Sequence, residues 1–374
     1  MLLVASLALM IPTLQAQSVD TAVAWGIKEG SFPGAVVVLG TSDRILLAKG
    51  YGHFTWSAES KTPTWDGTLY DLASLTKVVA TTPSVMRLVE SGKLALDARV
   101  QEYLPDFVGK SKELVTVRHL LQHRSGLRPF LPLNKLANSG TEARSLVMVE
   151  PLRWKPGSHV AYSDLNAMLL GWVVERVAGM PLNEFAKSEV FRPLRMSQTV
   201  FNPARSLRGR IAPVGLWHGH VIAGALHDQN AVRLGGVSGH AGLYSTGKDL
   251  ARYAQMYLRR GRDERQNVFL RNETITQFTA RGLRNRGLGW ELRDTTSRAN
   301  TGDLLSSSAF GHTGYTGTSI WIDPVRDLFV ILLTNRVFAP RSRRSITVLK
   351  ETRARVADAA VRLKSKVCGR KCTR

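Results

Sequence analysis

The chain has 374 residues, 44% hydrophobic and 21% charged, enough apolar material for one large domain or two, and it reads as an ordinary globular protein. Its 51 Lys and Arg against 29 Asp and Glu give a formal charge of +22, a field that attracts anions of any kind. From Arg341 onward 12 basic residues face two acids, Glu351 and Asp358, so much of the excess is a solvated helix and tail rather than a groove, which sets aside a nucleic-acid partner.

In chain order, Met1 to Ile11 is an apolar run ending near Ala16-Gln17, so residues 1–17 read as a secretory signal and predict a periplasmic or secreted protein, although a basic leading region is missing. The alternative is an apolar first helix. The run is too short to span a bilayer, and no later stretch reaches the ~20 apolar residues needed, so no membrane span is expected. Apolar residues at helical spacing predict a helix from Val19 to Lys28, stopped by Gly30 and Pro33. Gly34–Gly40 and Arg44–Ala48, joined by Thr41-Ser42-Asp43, have a hairpin signature. After Ala73 the pattern is mostly helical to about Ala231; strands return at Ser319–Ile322 and Leu328–Leu333, and a basic helix runs from about Ser345 to Lys364. The expected fold class is therefore α/β (α+β): residues 18–72 and 240–365 form one layered domain built from both termini, 73–239 a mostly helical insertion, and 366–374 a basic tail. Cys368 and Cys372 could close a small disulfide or stay reduced; with no His or third Cys beside them they make a poor zinc site.

Two stretches carry the pattern S-x-x-K, in which a lysine amine one helical turn away can reach a serine hydroxyl. Ser245-Thr246-Gly247-Lys248 precedes a helix, and N-capping explains its hydroxyls. Ser74-Leu75-Thr76-Lys77 follows a strand-like run and opens the apolar helix Val78-Val79-Ala80, where backbone N–H groups and the helix dipole favour an oxyanion. Tyr162-Ser163-Asp164 precedes another apolar helix, and Gly311-His312-Thr313-Gly314-Tyr315 leads into a strand. His119 and His123 have the spacing of a zinc pair, but Leu120 stands where the glutamate would be, and no G-x-S-x-G elbow occurs. No metal or cofactor is expected. The run His227-Asp228-Gln229 reads as a hydrogen-bonded turn.

Taken in order, the three boxes resemble those of the serine β-lactamase and penicillin-binding-protein superfamily, in the Tyr-containing branch of class C β-lactamases, D-alanyl-D-alanine carboxypeptidases, D-aminopeptidases and family VIII esterases. Leu120–Leu127 and Gly239–Thr246 are similar to recurring stretches of that branch, and the resemblance spans roughly residues 18–340. It implies an antiparallel sheet flanked by helices. It implies Ser74 as nucleophile, Lys77 and Tyr162 sharing the proton work with lowered pKa values, the N–H groups of Ser74 and Tyr315 as oxyanion hole, and Asp164, His312, Thr313 and Gly314 around the substrate.

Asp164 stands where β-lactamases usually have Asn, and an acid there would repel the carboxylate of a β-lactam; His312 stands where efficient β-lactamases have Lys, and a neutral His binds a carboxylate less firmly, so both point away from β-lactams. The expected function is an exported hydrolase of small esters or D-amino-acid amides and peptides, including wall-derived ones, with at most weak β-lactamase activity. The alternatives are a penicillin-binding or wall-sensing domain that acylates without efficient turnover, and a true class C-like β-lactamase. Oligomeric state is left open.

Overall fold

The computed structural model describes residues 18–368. The predicted signal, the last part of the basic tail and Cys372 lie outside them.

Helix α1 (Val19–Lys28) is capped by Ser18, whose hydroxyl accepts the Thr21 N–H, and carries Asp20 in its first turn and Lys28 in its last, each matched to the helix dipole. The expected hairpin follows as β1 (Gly34–Gly40) and β2 (Ile45–Gly52). Four late strands join it: β3 (Glu291–Leu292), β4 (Phe310–Thr313), β5 (Ser319–Asp323) and β6 (Leu328–Thr334). The order across the sheet is β2-β1-β6-β5-β4-β3, antiparallel throughout. Val37 lies opposite Leu332, which in turn faces Ser319.

Strand β1 is an unbroken apolar run because both of its faces are covered. Ala35, Val37 and Leu39 pack with Trp321, Val330 and Leu332 against α1 and the last helix, Ser345–Cys368. Val36 and Val38, with Ile320, Ile331 and Leu333, join a second core that takes in the helix Gly247–Leu258 and continues through the helical segment, including Thr82–Glu90 and Asp164–Ala178. The period-2 alternation of one strand thus supplies both cores.

Three features depart from the sequence reading. Tyr70–Asp71, Leu243–Ser245 and Val200–Phe201 form a small separate sheet, and Gly215–Trp217 pairs with His220–Ile222. Strands of two or three residues leave no periodic signal. Ser74 also does not open an α-helix: it sits in a tight 3₁₀ turn, Ala73–Leu75, followed by a wide π turn, Lys77–Thr81, before regular helix begins at Thr82. At the second S-x-x-K stretch Thr246 caps the helix through the Asp249 N–H, while Ser245 is a strand residue bonded to the Thr199 hydroxyl at 2.8 Å. Among the described residues no helix is long and apolar enough to cross a membrane.

Candidate active site

Ser74 is held at the junction of sheet and helical segment. Ala73 before it adopts φ +46°, a left-handed conformation that side chains normally avoid. The Asp71 carboxylate accepts the Ala73 N–H at 2.9 Å and stabilises the turn.

The π turn brings Lys77 back under Ser74. Its ammonium is 2.9 Å from Ser74 Oγ, 2.8 Å from Asp164 Oδ1 and 3.2 Å from the His240 carbonyl oxygen. An ammonium has three donors, and these three acceptors occupy them all. Burial pulls the Lys77 pKa down, but the Asp164 carboxylate and the Tyr162 hydroxyl more than offset this and leave it above the ordinary value. The expectation of a lowered lysine pKa is therefore corrected: the resting Lys77 is a cation. The Asp164 charge is likewise spent on Lys77, so its expected repulsion of a substrate carboxylate is largely neutralised.

Tyr162 lies between cations, its ring centre 5.0 Å from Lys77 Nζ and 5.2 Å from the Arg286 guanidinium carbon. Its other neighbours are His123, with ring centres 4.7 Å apart, and His312 at 5.7 Å. His123 accepts the Ser163 N–H on Nδ1, which fixes the chain beside Tyr162. Burial, then Arg286 and Lys77, push His123 and His312 well below the ordinary histidine pKa, so both rings are neutral. His312 Nδ1 is 2.9 Å from the Thr313 carbonyl oxygen, which can only accept; Nδ1 carries the proton, and Nε2 is a buried acceptor with no partner among the described residues. His119, by contrast, sits in a helix cap with Thr116.

Gly314 crosses the Ser74 turn closely. A Cβ there would lie 2.5 Å from the Leu72 carbonyl oxygen and still nearer Thr318 Oγ1. Gly314→Ala is expected to cost about 1–3 kcal/mol of stability, read as a lower Tm, and to slow ester turnover more than tenfold. Tyr315 follows, exposed, with the His227 ring tilted against it at 5.3 Å and the Arg336 guanidinium carbon 4.6 Å from its ring centre.

Ser74, Tyr162, His312, Thr313, Gly314 and Tyr315 line one cavity of about 400 Å³. Asp164 meets it from behind through Lys77. The cavity also contains Arg286, Arg336, Lys350 and Arg353 against a single acid, Glu291. Sequence reasoning missed the four basic residues, because nothing in their local pattern separates them from the many others of the chain, and it missed Glu291 as well. Arg353 was assigned to a solvated helix but is buried, and donates to the Gly314 and Thr318 carbonyls.

A family model described as Beta-lactamase matches residues 17–352. The chain belongs to the Beta-lactamase family. Within that family it is 36% identical over 307 residues to a protein of Escherichia coli (strain K12) provisionally named D-alanyl-D-alanine carboxypeptidase, a match covering 73% of this chain and 70% of the relative. A Salmonella agona (strain SL483) protein with the same provisional name is 32% identical over 350 residues, covering 83% and 81%. Among solved structures, EstCE1, described as a hydrolase with promiscuous acyltransferase activity, superposes with a TM-score of 0.72 at 23% identity over 91% of this chain and 97% of its own. A penicillin-binding protein homologue from Caulobacter crescentus gives 0.72 at 20% identity over 92% and 97%. These structural likenesses bear on the fold: mixed α/β with an antiparallel sheet. This member of the Beta-lactamase family is a serine hydrolase of the β-lactamase-related type.

Proposed function

We propose that this chain is an exported D-amino-acid peptidase of the acyl-enzyme type, cleaving peptides that end in a free carboxylate and accepting small esters as simpler acyl donors. The observation that carries this reading is the fully engaged Lys77 ammonium: because it donates to Ser74 Oγ, the serine proton is left to point elsewhere. Tyr162, entering the step as a phenolate between the Lys77 and Arg286 cations, takes that proton as Oγ attacks the acyl carbon. The N–H groups of Ser74 and Tyr315 hold the oxyanion. Tyr162 returns the proton to the departing amine or alcohol. A water molecule then enters, Tyr162 accepts its proton, and the acid product leaves as Ser74 is reprotonated.

The cationic wall supports a carboxylate-ended substrate. His312 Nε2 offers a lone pair and would repel a carboxylate, whereas Arg286 has a buried Nη1 without a partner among the described residues and stands beside Tyr162. The Asp164–Lys77 pair removes the acid that argued against carboxylates, so D-alanyl peptides gain over esters. The provisional names of the bacterial relatives point the same way, and the apolar run in residues 1–17 supports export.

The test is release of D-alanine from a peptide ending in D-Ala-D-Ala, compared with its C-terminal amide. Preference for the free acid is expected, and Arg286→Gln should raise KM for the acid about 10–100-fold, the worth of a charge-assisted hydrogen bond, while leaving KM for a neutral p-nitrophenyl ester unchanged; any fall in kcat from the weaker field on Tyr162 should be common to both substrates. Equal turnover of acid and amide would sink the carboxylate reading. A stable adduct on Ser74 with no release would favour a wall-sensing domain instead.

A further inference from the structure

Asp71 is a buried carboxylate that the proposed chemistry does not use. It lies in the short strand Tyr70–Asp71, opposite Tyr244, and its side chain has no ion-pair partner among the described residues. Oδ1 accepts the Ala73 N–H and Oδ2 the His227 N–H, each at 2.9 Å. Its own carbonyl accepts the Thr316 hydroxyl at 2.7 Å, and the next carbonyl, Leu72, accepts Thr318 Oγ1 at 3.0 Å. Three segments that are distant in sequence thereby meet at Asp71, two on its carboxylate and the third on the main-chain carbonyls of Asp71 and Leu72. These are the left-handed turn before Ser74, the His227 loop, and the strand entry that carries Tyr315.

The two oxygens are not interchangeable with those of an amide. An ionised carboxylate accepts both N–H groups; a protonated acid, or Asn, turns a donor toward one of them and loses that bond. What would be lost is either the Ala73 contact, which supports a strained φ of +46°, or the His227 contact, which seats the ring packed on Tyr315.

We propose that Asp71 is a positioning residue for acyl transfer: its carboxylate sets the Ser74 turn against the His227–Tyr315 wall, and protonation uncouples the two. This rests on the acyl-enzyme reading above. The groups facing Asp71 are Tyr70 on its own strand, Tyr244 on the paired strand, His227 and Asp228 on the adjoining loop, and Tyr315 beyond His227. None supplies a cation close to the carboxylate at neutral pH, since burial keeps His227 below its ordinary value. Burial, assisted by Asp228, raises Asp71 to about 6 against two opposing backbone bonds. Turnover should accordingly fall as pH drops through about 6, where the Lys77 ammonium stays charged.

The experiment is the pH profile of kcat for a neutral p-nitrophenyl ester. Asp71→Asn is expected to lower kcat roughly tenfold at pH 8 with little change in KM, and to abolish the acid limb near pH 6. His227→Gln should keep that limb, which separates Asp71 from the neighbouring imidazole. Should Asp71→Asn fail to fold, Asp228→Asn serves: Asn retains the cap on the Ala231 N–H, and loss of the nearby negative charge should move the limb to lower pH. An acid limb that persists in Asp71→Asn, disappears in His227→Gln or stays fixed in Asp228→Asn overturns the proposal. Ser74→Ala distinguishes the two levels. If it abolishes turnover while Asp71→Asn behaves as wild type, only the positioning role falls; if it leaves turnover intact, the acyl-enzyme reading falls and Asp71 with it.

Discussion

Ser74→Ala is expected to reduce turnover of both a p-nitrophenyl ester and a D-alanyl peptide by roughly 10³-fold or more, with KM little changed. The hydroxyl is small, and its loss disturbs nothing else in the site: the Lys77 ammonium keeps Asp164 and the His240 carbonyl, so the fold should survive with an unaltered Tm. The combination of intact stability and lost rate marks a nucleophile. A loss below tenfold would place the acyl bond elsewhere. Acylation also predicts a covalent mass increase when wild type is trapped with a slow ester, absent from the variant.

Lys77→Met should be equally severe in rate, about 10³-fold, but for a different reason and with a different companion effect. Met preserves most of the volume and removes the charge, so Tyr162 loses one of its two cations and Ser74 Oγ its donor. Asp164 is then left as a largely buried carboxylate without its partner, which costs about 3 kcal/mol. Lys77→Met/Asp164→Asn should regain much of that stability without regaining rate; recovery of rate would show that the lysine acts only to neutralise Asp164. The pH dependence has a definite sign. The folded pKa of Lys77 is raised above its ordinary 10.5, so the ion pair contributes fully below about pH 10.5 and is lost only as pH rises beyond it. Any limb in the rate profile between about pH 5 and 9 belongs to another group.

The sequence made the candidate nucleophile legible because three boxes fall in a fixed order, each beside a strand or an apolar helix that could be read independently. Ser74, Tyr162, His312 and Tyr315 do converge on one cavity. The sheet was legible for the same reason: Gly34–Gly40 and Leu328–Thr334 are apolar runs too short for buried helices. What could not be read is whatever depends on the third dimension. Arg286 and Arg353 look like any other arginine until the strands and the last helix set them around Tyr162 and Gly314. The direction of the Lys77 shift depends on the 2.8 Å contact with Asp164, which sequence spacing does not encode. Asp71 is one residue of a two-residue strand, and its two backbone partners come from opposite ends of the helical segment.

The central strand Gly34–Gly40 also has a temporal consequence. Synthesis produces it together with Ile45–Gly52, its immediate neighbour, but its other edge pairs with Leu328–Thr334, which emerges much later. Until then a nascent chain carries an unpaired apolar edge, the form in which strands recruit foreign strands. Tyr315 is likewise late, so on the proposed mechanism the newborn Ser74 turn waits for its second oxyanion donor. A product that stops short of Leu328 is therefore expected to be a client for chaperones rather than a crippled enzyme.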